Sequence, residues 1–266
     1  MLEKIYDFLF FLFSGLCHQI PERSFYDIYG HQFFVCARDT GTYIGFLLSF
    51  IILYLLSFTF KKDQLNTLII ENIRYIIFLF LFYLFLFGLD GVTSYTNLRE
   101  TTNSIRFFTG LFMASHLGLI YKYFEIFINK TLITNENLQS TSKEKDNVNN
   151  NENPKRNSFI LFIITFNLLL LIFYFISLKV LIPYLLYVLA FAIIFYFYKT
   201  INLITSLIHF QFVDPYVNNK FLRLLPNLVF ITIFIFLLLF LFSTAYVKKQ
   251  TIIQIYKDFY KKYFTN

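Results

Sequence analysis

Apolar and polar positions along the chain alternate on a coarse scale, with long apolar runs cut by short polar stretches. About 20 helical residues are needed to cross a hydrocarbon core of about 30 Å, because lipid leaves no backbone amide without an internal partner. The run TGTYIGFLLSFIILYLLSFTF (40–60) meets that length and is closed by Lys61, Lys62 and Asp63. A second, YIIFLFLFYLFLFGL (75–89), is short and is predicted to end at Asp90-Gly91. A third, IRFFTGLFMASHLGLIYKYF (105–124), carries polar residues along its length. The runs SFILFIITFNLLLLIFYFISL (158–178) and IPYLLYVLAFAIIFYFY (182–198) are separated only by Lys179-Val180-Leu181 and the break at Pro183, which predicts a helical hairpin. A sixth, PNLVFITIFIFLLLFLFSTAYV (226–247), starts at a proline suited to a first helical turn. The pattern predicts an all-α polytopic integral membrane protein with about six transmembrane helices, five to seven being compatible with it.

Three further stretches complete the layout. Residues 5–16, IYDFLFFLFSGL, offer only nine uninterrupted residues after Asp7, too few to cross, and predict a short re-entrant or interfacial helix. Residues 129–157 include NENLQSTSKEKDNVNNNENPKRN, an Asn-rich tract that buries too little apolar surface to offset its ordering entropy. It reads as a disordered linker between a first half, 1–128, that bears the polar motifs and a second half, 158–266. In the tail, Ile252, Tyr256, Phe259, Tyr260 and Tyr263 fall near helical spacing with Lys257, Lys261 and Lys262 around them. This predicts an amphipathic helix on an anionic surface.

Composition agrees with a membrane protein: 57% of the 266 residues are hydrophobic, 15% are charged and 39 are phenylalanine. The net charge of +7 suits a membrane surface and carries no sign of a nucleic-acid partner. In a six-span layout, eleven of the 23 lysines and arginines fall on one side and twelve on the other, so the positive-inside rule does not choose the orientation. The expected location is a membrane, and the expected partners are membrane lipids.

Two polar clusters carry the candidate chemistry. The first, CHQIPERSFYDIYGHQFFVCARDTG (17–41), holds both cysteines of the chain. Cys17, His18, Cys36 and Asp39 offer two sulfurs, an imidazole and a carboxylate, a set able to close a tetrahedral zinc site. A Cys17–Cys36 disulfide, if the loop faces an oxidising compartment, and two free thiols fit the same spacing. Glu22, Arg23, Arg38 and Asp39 lie close to lipid, where charges must pair with one another, face water or bind something.

The second cluster, LDGVTSYTNLRETTNSIRFFTG (89–110), contains Asp90, Arg99 and Arg106. At 100° per residue, Arg99, Asn103, Arg106, Gly110, Met113 and His116 share a narrow helical arc, a polar stripe running into the third span. Arginines one to two turns apart, joined by amide and hydroxyl donors, match recognition of a phosphate or carboxylate. Packing of helices through small and polar residues would produce the same stripe. His116 is an ionisable residue deep in that span and so a further candidate. No Gly-rich phosphate loop, HExxH, GxSxG or kinase set occurs, so no catalytic residue is assigned.

The segments CHQIPERSF, GHQFFVCARDTGTYIG, LDG and LRETTNSIRFFTG resemble, in order, the signature segments of a prokaryotic family of polytopic membrane proteins known only as a domain of unknown function, number 2085. The resemblance covers about residues 15–115. The family's second cysteine motif is similar to Cys-x-Arg-Cys-x-Gly, and here Asp39 stands at its second cysteine. That departure removes a Cys-x-x-Cys pair and weighs against a thiol-redox reading carried over from the family, whereas a carboxylate can replace a thiolate as a zinc ligand. Where the family tends to carry Gln, this chain has Ser94. The resemblance implies a prokaryotic cytoplasmic membrane as the location and no activity.

These observations lead to a protein with an interfacial polar site, built from 17–41 and 90–106, for a lipid or lipid-linked molecule with an anionic head. Arg23, Arg38, Arg99, Asn103 and Arg106 would hold the head group, zinc assistance would come from Cys17, His18, Cys36 and Asp39, and Glu22 and Asp90 complete the polar set. The alternatives are a transporter or channel with the Arg99 to His116 stripe as its path, or a structural assembly partner.

Overall fold

A computed structural model describes residues 2–96, 98–138, 152–177, 185–212 and, further on, 232, 237, 240 and 242–251. Its helices are α1 (Leu2–Phe13), α2 (Ala37–Thr59), α3 (Lys62–Glu71), α4 (Ile73–Tyr95), α5 (Asn103–Leu138), α6 (Glu152–Ile176) and α7 (Leu186–Phe212). Among the described residues the only extended pairing is one isolated bridge, Tyr26 with Gln32. Among the described residues, five segments are long and apolar enough to cross a membrane: Ala37–Thr59, Ile73–Tyr95, Asn103–Ile128, Ser158–Ile176 and Val188–Ser206. The protein is an all-α polytopic membrane protein. Most of the expected sixth span, and the tail beyond 251, lie outside the described residues. Of the expected linker, 129–138 and 152–157 are helical and the rest lies outside the described residues.

α1 is 12 residues long, about 18 Å at 1.5 Å per residue, and falls short of a bilayer core. Phe13 and Leu12 are buried, while Asp7 and Phe8 are exposed.

The centre of the bundle is the α2–α5 pair, the most extensive helix contact among the described residues. Gly41, Gly45 and Ser49 recur every four residues on α2 and meet Gly110, Ser115 and Gly118 on α5. A Cβ added at Gly41 or Gly45 would collide with the backbone of Phe107 or Leu111, and one at Gly110 with Arg38 and Thr42. Without a hydrophobic force between helices in lipid, such small residues let backbones approach. Ser115 donates across the seam to the Gly45 carbonyl at 3.1 Å. α4 is outermost: 11% of its spanning window is buried, against 56% for α2 and α5, and Phe78, Phe82 and Phe85 point outward.

α4 corrects the expected end of the second span. The helix does not stop at Asp90-Gly91 but continues to Tyr95. Asp90 can lie inside a helix because Arg38 and Arg99 neutralise it, and Gly91 leaves room for the Arg38 guanidinium, 3.5 Å from where a Cβ would sit. α3, which the apolar runs did not predict, buries Leu65, Leu68 and Ile69 at i, i+3 and i+4 on one face.

Candidate functional site

The site forms where α2 begins, α4 ends and α5 begins, closed by the loop from Ser14 to Cys36. That loop is folded by its own polar groups. Asp27 Oδ1 accepts from the backbone N–H of Tyr29 and His31, and Gly30 at φ +83° closes the turn. Gln19, a non-glycine residue at φ 51°, donates to the carbonyls of Phe10 and Phe34 at 2.7 and 2.9 Å. Gln32 donates to the Gln19 carbonyl and to Ser24 Oγ at 2.8 and 3.1 Å. Phe33, Phe34 and Val35 are wholly buried and pin the segment that leads into α2. Tyr6 ties α1 to the loop by donating to the Gln32 carbonyl at 2.9 Å, and burial, with Asp27 second, pushes its phenol up to about 12.

The structure brings the two polar clusters together. Arg38 in the first turn of α2 bonds Asp90 Oδ2 on α4 at 2.6 Å, and Arg99 bonds Asp90 Oδ1 at 2.9 Å. Asn103 at the start of α5 donates to the Ser24 carbonyl in the loop at 3.0 Å. Arg106 donates to Asn103 Oδ1 at 2.9 Å and to Ser94 Oγ at 3.2 Å. Its side chain is buried, its Nε has no hydrogen-bond partner, and no carboxylate of the described residues lies within ion-pair distance of it. Arg23 stacks on Tyr95, its guanidinium carbon 4.5 Å from the ring centroid.

These groups wall two cavities. An inner cleft of about 90 Å³ is lined by Cys17, His18, Arg23, Cys36, Arg38, Asp39, Tyr95 and Arg106, among others. An outer one of about 380 Å³ is lined by Glu22, Arg23, Ser94, Arg99, Glu100, Thr101 and Arg106. Arg23 and Arg106 belong to both walls. A larger cavity of about 430 Å³, lined by Asp63, Gln64 and Glu71 among others, lies at the other end of α2 and holds none of the predicted residues.

Cys17, Cys36 and Asp39 place one donor atom each within 4.8 Å of one another. His18 is not in that group, although it lines the same cleft. Both cysteines are free thiols. The Cys36 backbone N–H donates to Cys17 Sγ at 3.3 Å, and Cys36 Sγ–H to Asp39 Oδ2 at 3.3 Å. The side-chain hydrogen bond between the two sulfurs holds Cys17 below the ordinary thiol range against the opposing effects of burial and Asp39. The same bond, then burial, then Asp39 push Cys36 up.

Lower on the stripe the chemistry fades into packing. Gly110 is pressed against α2 and Met113 is buried. His116 is fully buried, with Nδ1 2.8 Å from its own helix's Phe112 carbonyl and its ring 4.7 Å from that of Tyr83.

Ser94 and Tyr95 are site residues that sequence reasoning missed. Once α4 is continued beyond Asp90, Ser94 falls at i+4 on the same face and is buried like Asp90, while Tyr95 is exposed. The signal was masked by taking the charge and the glycine as a helix end.

Residues 17–120 match the model of a family described as Predicted membrane protein (DUF2085). An uncharacterised protein of Methanocaldococcus jannaschii is 39% identical over 113 residues, covering 42% of this chain and 65% of the relative, so the chain spans just under two thirds of that relative's length. An uncharacterised protein of Methanothermobacter thermautotrophicus is 31% identical over 110 residues, covering 41% of this chain and 87% of the relative. No solved structure matches. The matched region takes in α2, α3, α4, nearly all of the loop before α2 and the start of α5, and so contains every residue that lines the two cavities except Leu16.

Proposed function

The chain belongs to the domain of unknown function 2085 family of membrane proteins, and on that premise we propose that it binds a lipid or lipid-linked molecule through an anionic head group held in the arginine cleft. The observation that carries this reading is Arg106. It is 8% exposed, and among the described residues it is bonded only to the neutral Asn103 and Ser94 and retains an unpartnered Nε. An arginine does not lose its proton in a protein. A buried guanidinium without a carboxylate is costly, and an anion in the cleft offsets that cost.

The neighbouring groups fit the same occupant. Asp90 absorbs Arg38 and part of Arg99, while Arg23 is held against Tyr95 and adds a second cation that forms no ion pair among the described residues. A volume of about 90 Å³ is roughly that of three water molecules, enough for a single phosphate or carboxylate group. The outer cavity has room for more of the head. Its exposed Glu22 and Glu100 favour a head group that also carries a donor or a cation. The site lies at one end of the spanning helices, where a lipid head group resides. The archaeal relatives support a prokaryotic cytoplasmic membrane as the setting.

The test is mass spectrometry of lipids that copurify with the protein in mild detergent. An anionic lipid retained at near-equimolar amount by the native chain and lost from Arg106→Lys is the expected result. Native protein carrying only zwitterionic lipid, or none, would reject the reading.

A further inference from the structure

Asp39 is a half-buried carboxylate in a cleft walled by three arginines, yet it forms no ion pair with any described residue. Arg38 turns away to Asp90, and Arg106 is held by Asn103 and Ser94. What Asp39 faces is sulfur. Cys36 Sγ lies 3.3 Å from Oδ2, and the donor atoms of Cys17, Cys36 and Asp39 all lie within 4.8 Å of one another. A thiol is a weak donor. Three groups that are anionic when deprotonated thus converge with only weak thiol and amide hydrogen bonds among them.

The three are held on fixed supports. Cys36 caps α2 and Asp39 lies in its first turn, three residues on and hence on the same face. The Cys36 side chain makes no capping bond and points to Asp39 instead. Cys17 receives the Cys36 N–H on its sulfur, and Lys248 Nζ donates to its carbonyl at 3.0 Å.

We infer that Cys17, Cys36 and Asp39 form a three-ligand site for a divalent transition metal of the zinc type, with a fourth position open to the arginine-lined cleft. Two thiolates and a carboxylate suit zinc, with bonds of about 2.0–2.3 Å that draw the donors together by about 1 Å from their 4.8 Å limit. Three protein ligands with one open position is the arrangement of a reactive centre, whereas structural sites are closed by four. His18 lines the cleft outside the ligand group. Two thiolates, one carboxylate and a divalent ion sum to a single negative charge, which Arg23, Arg38 and Arg106 tolerate beside them. Where the head-group reading above also holds, the open position lets the metal polarise an oxygen of the anion that Arg106 grips.

The experiment starts from full-length protein purified under reducing conditions without chelator. Elemental analysis is expected to find near-equimolar zinc or another transition metal. Cys17→Ser and Cys36→Ser should each lose most of it, and Arg106→Lys should keep it. Native protein reconstituted with cobalt(II) should show sulfur-to-metal charge-transfer absorption and intense tetrahedral bands. Inorganic phosphate should shift those bands in the native protein and not in Arg106→Lys. Absence of near-equimolar metal together with absence of the cobalt spectrum would overturn the site. A Cys17–Cys36 disulfide in protein prepared without reductant and unfolded before thiol counting would overturn it in favour of a redox pair. A cobalt spectrum blind to phosphate would overturn the open position, and it separates that failure from failure of metal binding.

Discussion

Removing the Asp90 carboxylate should unfold the site end of the bundle, and the two arginines it serves should not share the loss equally. Asp90 is 3% exposed, Arg38 is 11% exposed and Arg99 is 51% exposed. In Asp90→Asn, Arg99 turns into water, and its pair is worth only about 0.2–1 kcal/mol. Arg38 has no such escape. It is packed under Phe87 and Tyr95, and its Nε already lacks a partner. Leaving one member of a buried pair uncompensated costs about 3–5 kcal/mol, so Asp90→Asn should fall in that range and Arg99→Ala below about 1 kcal/mol. The double variant Arg38→Met, Asp90→Leu should recover most of the loss, because replacing a whole buried pair by apolar groups is often neutral. The assay is unfolding in mixed micelles followed by circular dichroism, since the chain has no tryptophan. An Asp90→Asn cost under about 1 kcal/mol, or an Arg99→Ala cost equal to it, would refute the assignment of Asp90 to Arg38.

Other perturbations test other parts of the structure. Gly41→Ala and Gly110→Ala should each cost roughly 1–3 kcal/mol by forcing α2 from α5, with helix content kept, whereas Gly88→Ala, with open space around it, should be neutral or better on the same unfolding curves. Tyr6→Phe removes the bond to the Gln32 carbonyl and should cost about 0.5–1.5 kcal/mol, read as earlier proteolysis of the loop before α2. Thiol labelling of Glu22→Cys and Glu100→Cys, both exposed and both on the outer cavity, should occur from the same side of a sealed vesicle, and labelling from opposite sides would dismantle the composite site.

The spans were legible because lipid imposes one rule on every residue of a long run: α2 and α6 match the runs at 40–60 and 158–178 to within several residues at each end, and α7 starts within the run at 182–198 but continues well past it to Phe212. What failed were places where a local signal is overridden by a distant partner. Asp90-Gly91 reads as a stop until Arg38, 52 residues away in sequence, is seen to neutralise it. The pairing of Arg38 with Asp90 instead of Glu22 or Asp39 is a matter of which helix ends meet, and spacing along one segment says nothing about it. The Gly41, Gly45, Ser49 repeat is written in the sequence as a small residue every fourth position, yet its partner stripe on α5 is recognisable only once the two helices are known to touch. The convergence of Cys17 with Cys36 and Asp39 depends on the Gln19 and Gln32 bonds that fold the loop, and on a left-handed Gln19 that no residue preference announces.

The claim that an anion occupies the cleft is tested most directly by lipid titration of purified protein, native and Arg106→Lys, with a phosphomonoester lipid against phosphatidylcholine. The native chain should prefer the phosphomonoester lipid by at least about tenfold, or about 1.4 kcal/mol. Arg106→Lys should keep its fold and lose that preference, because lysine retains the charge but not the planar fork that now spans Asn103 and Ser94. Equal binding of both lipids by the native chain, or an unchanged preference in Arg106→Lys, would contradict the account.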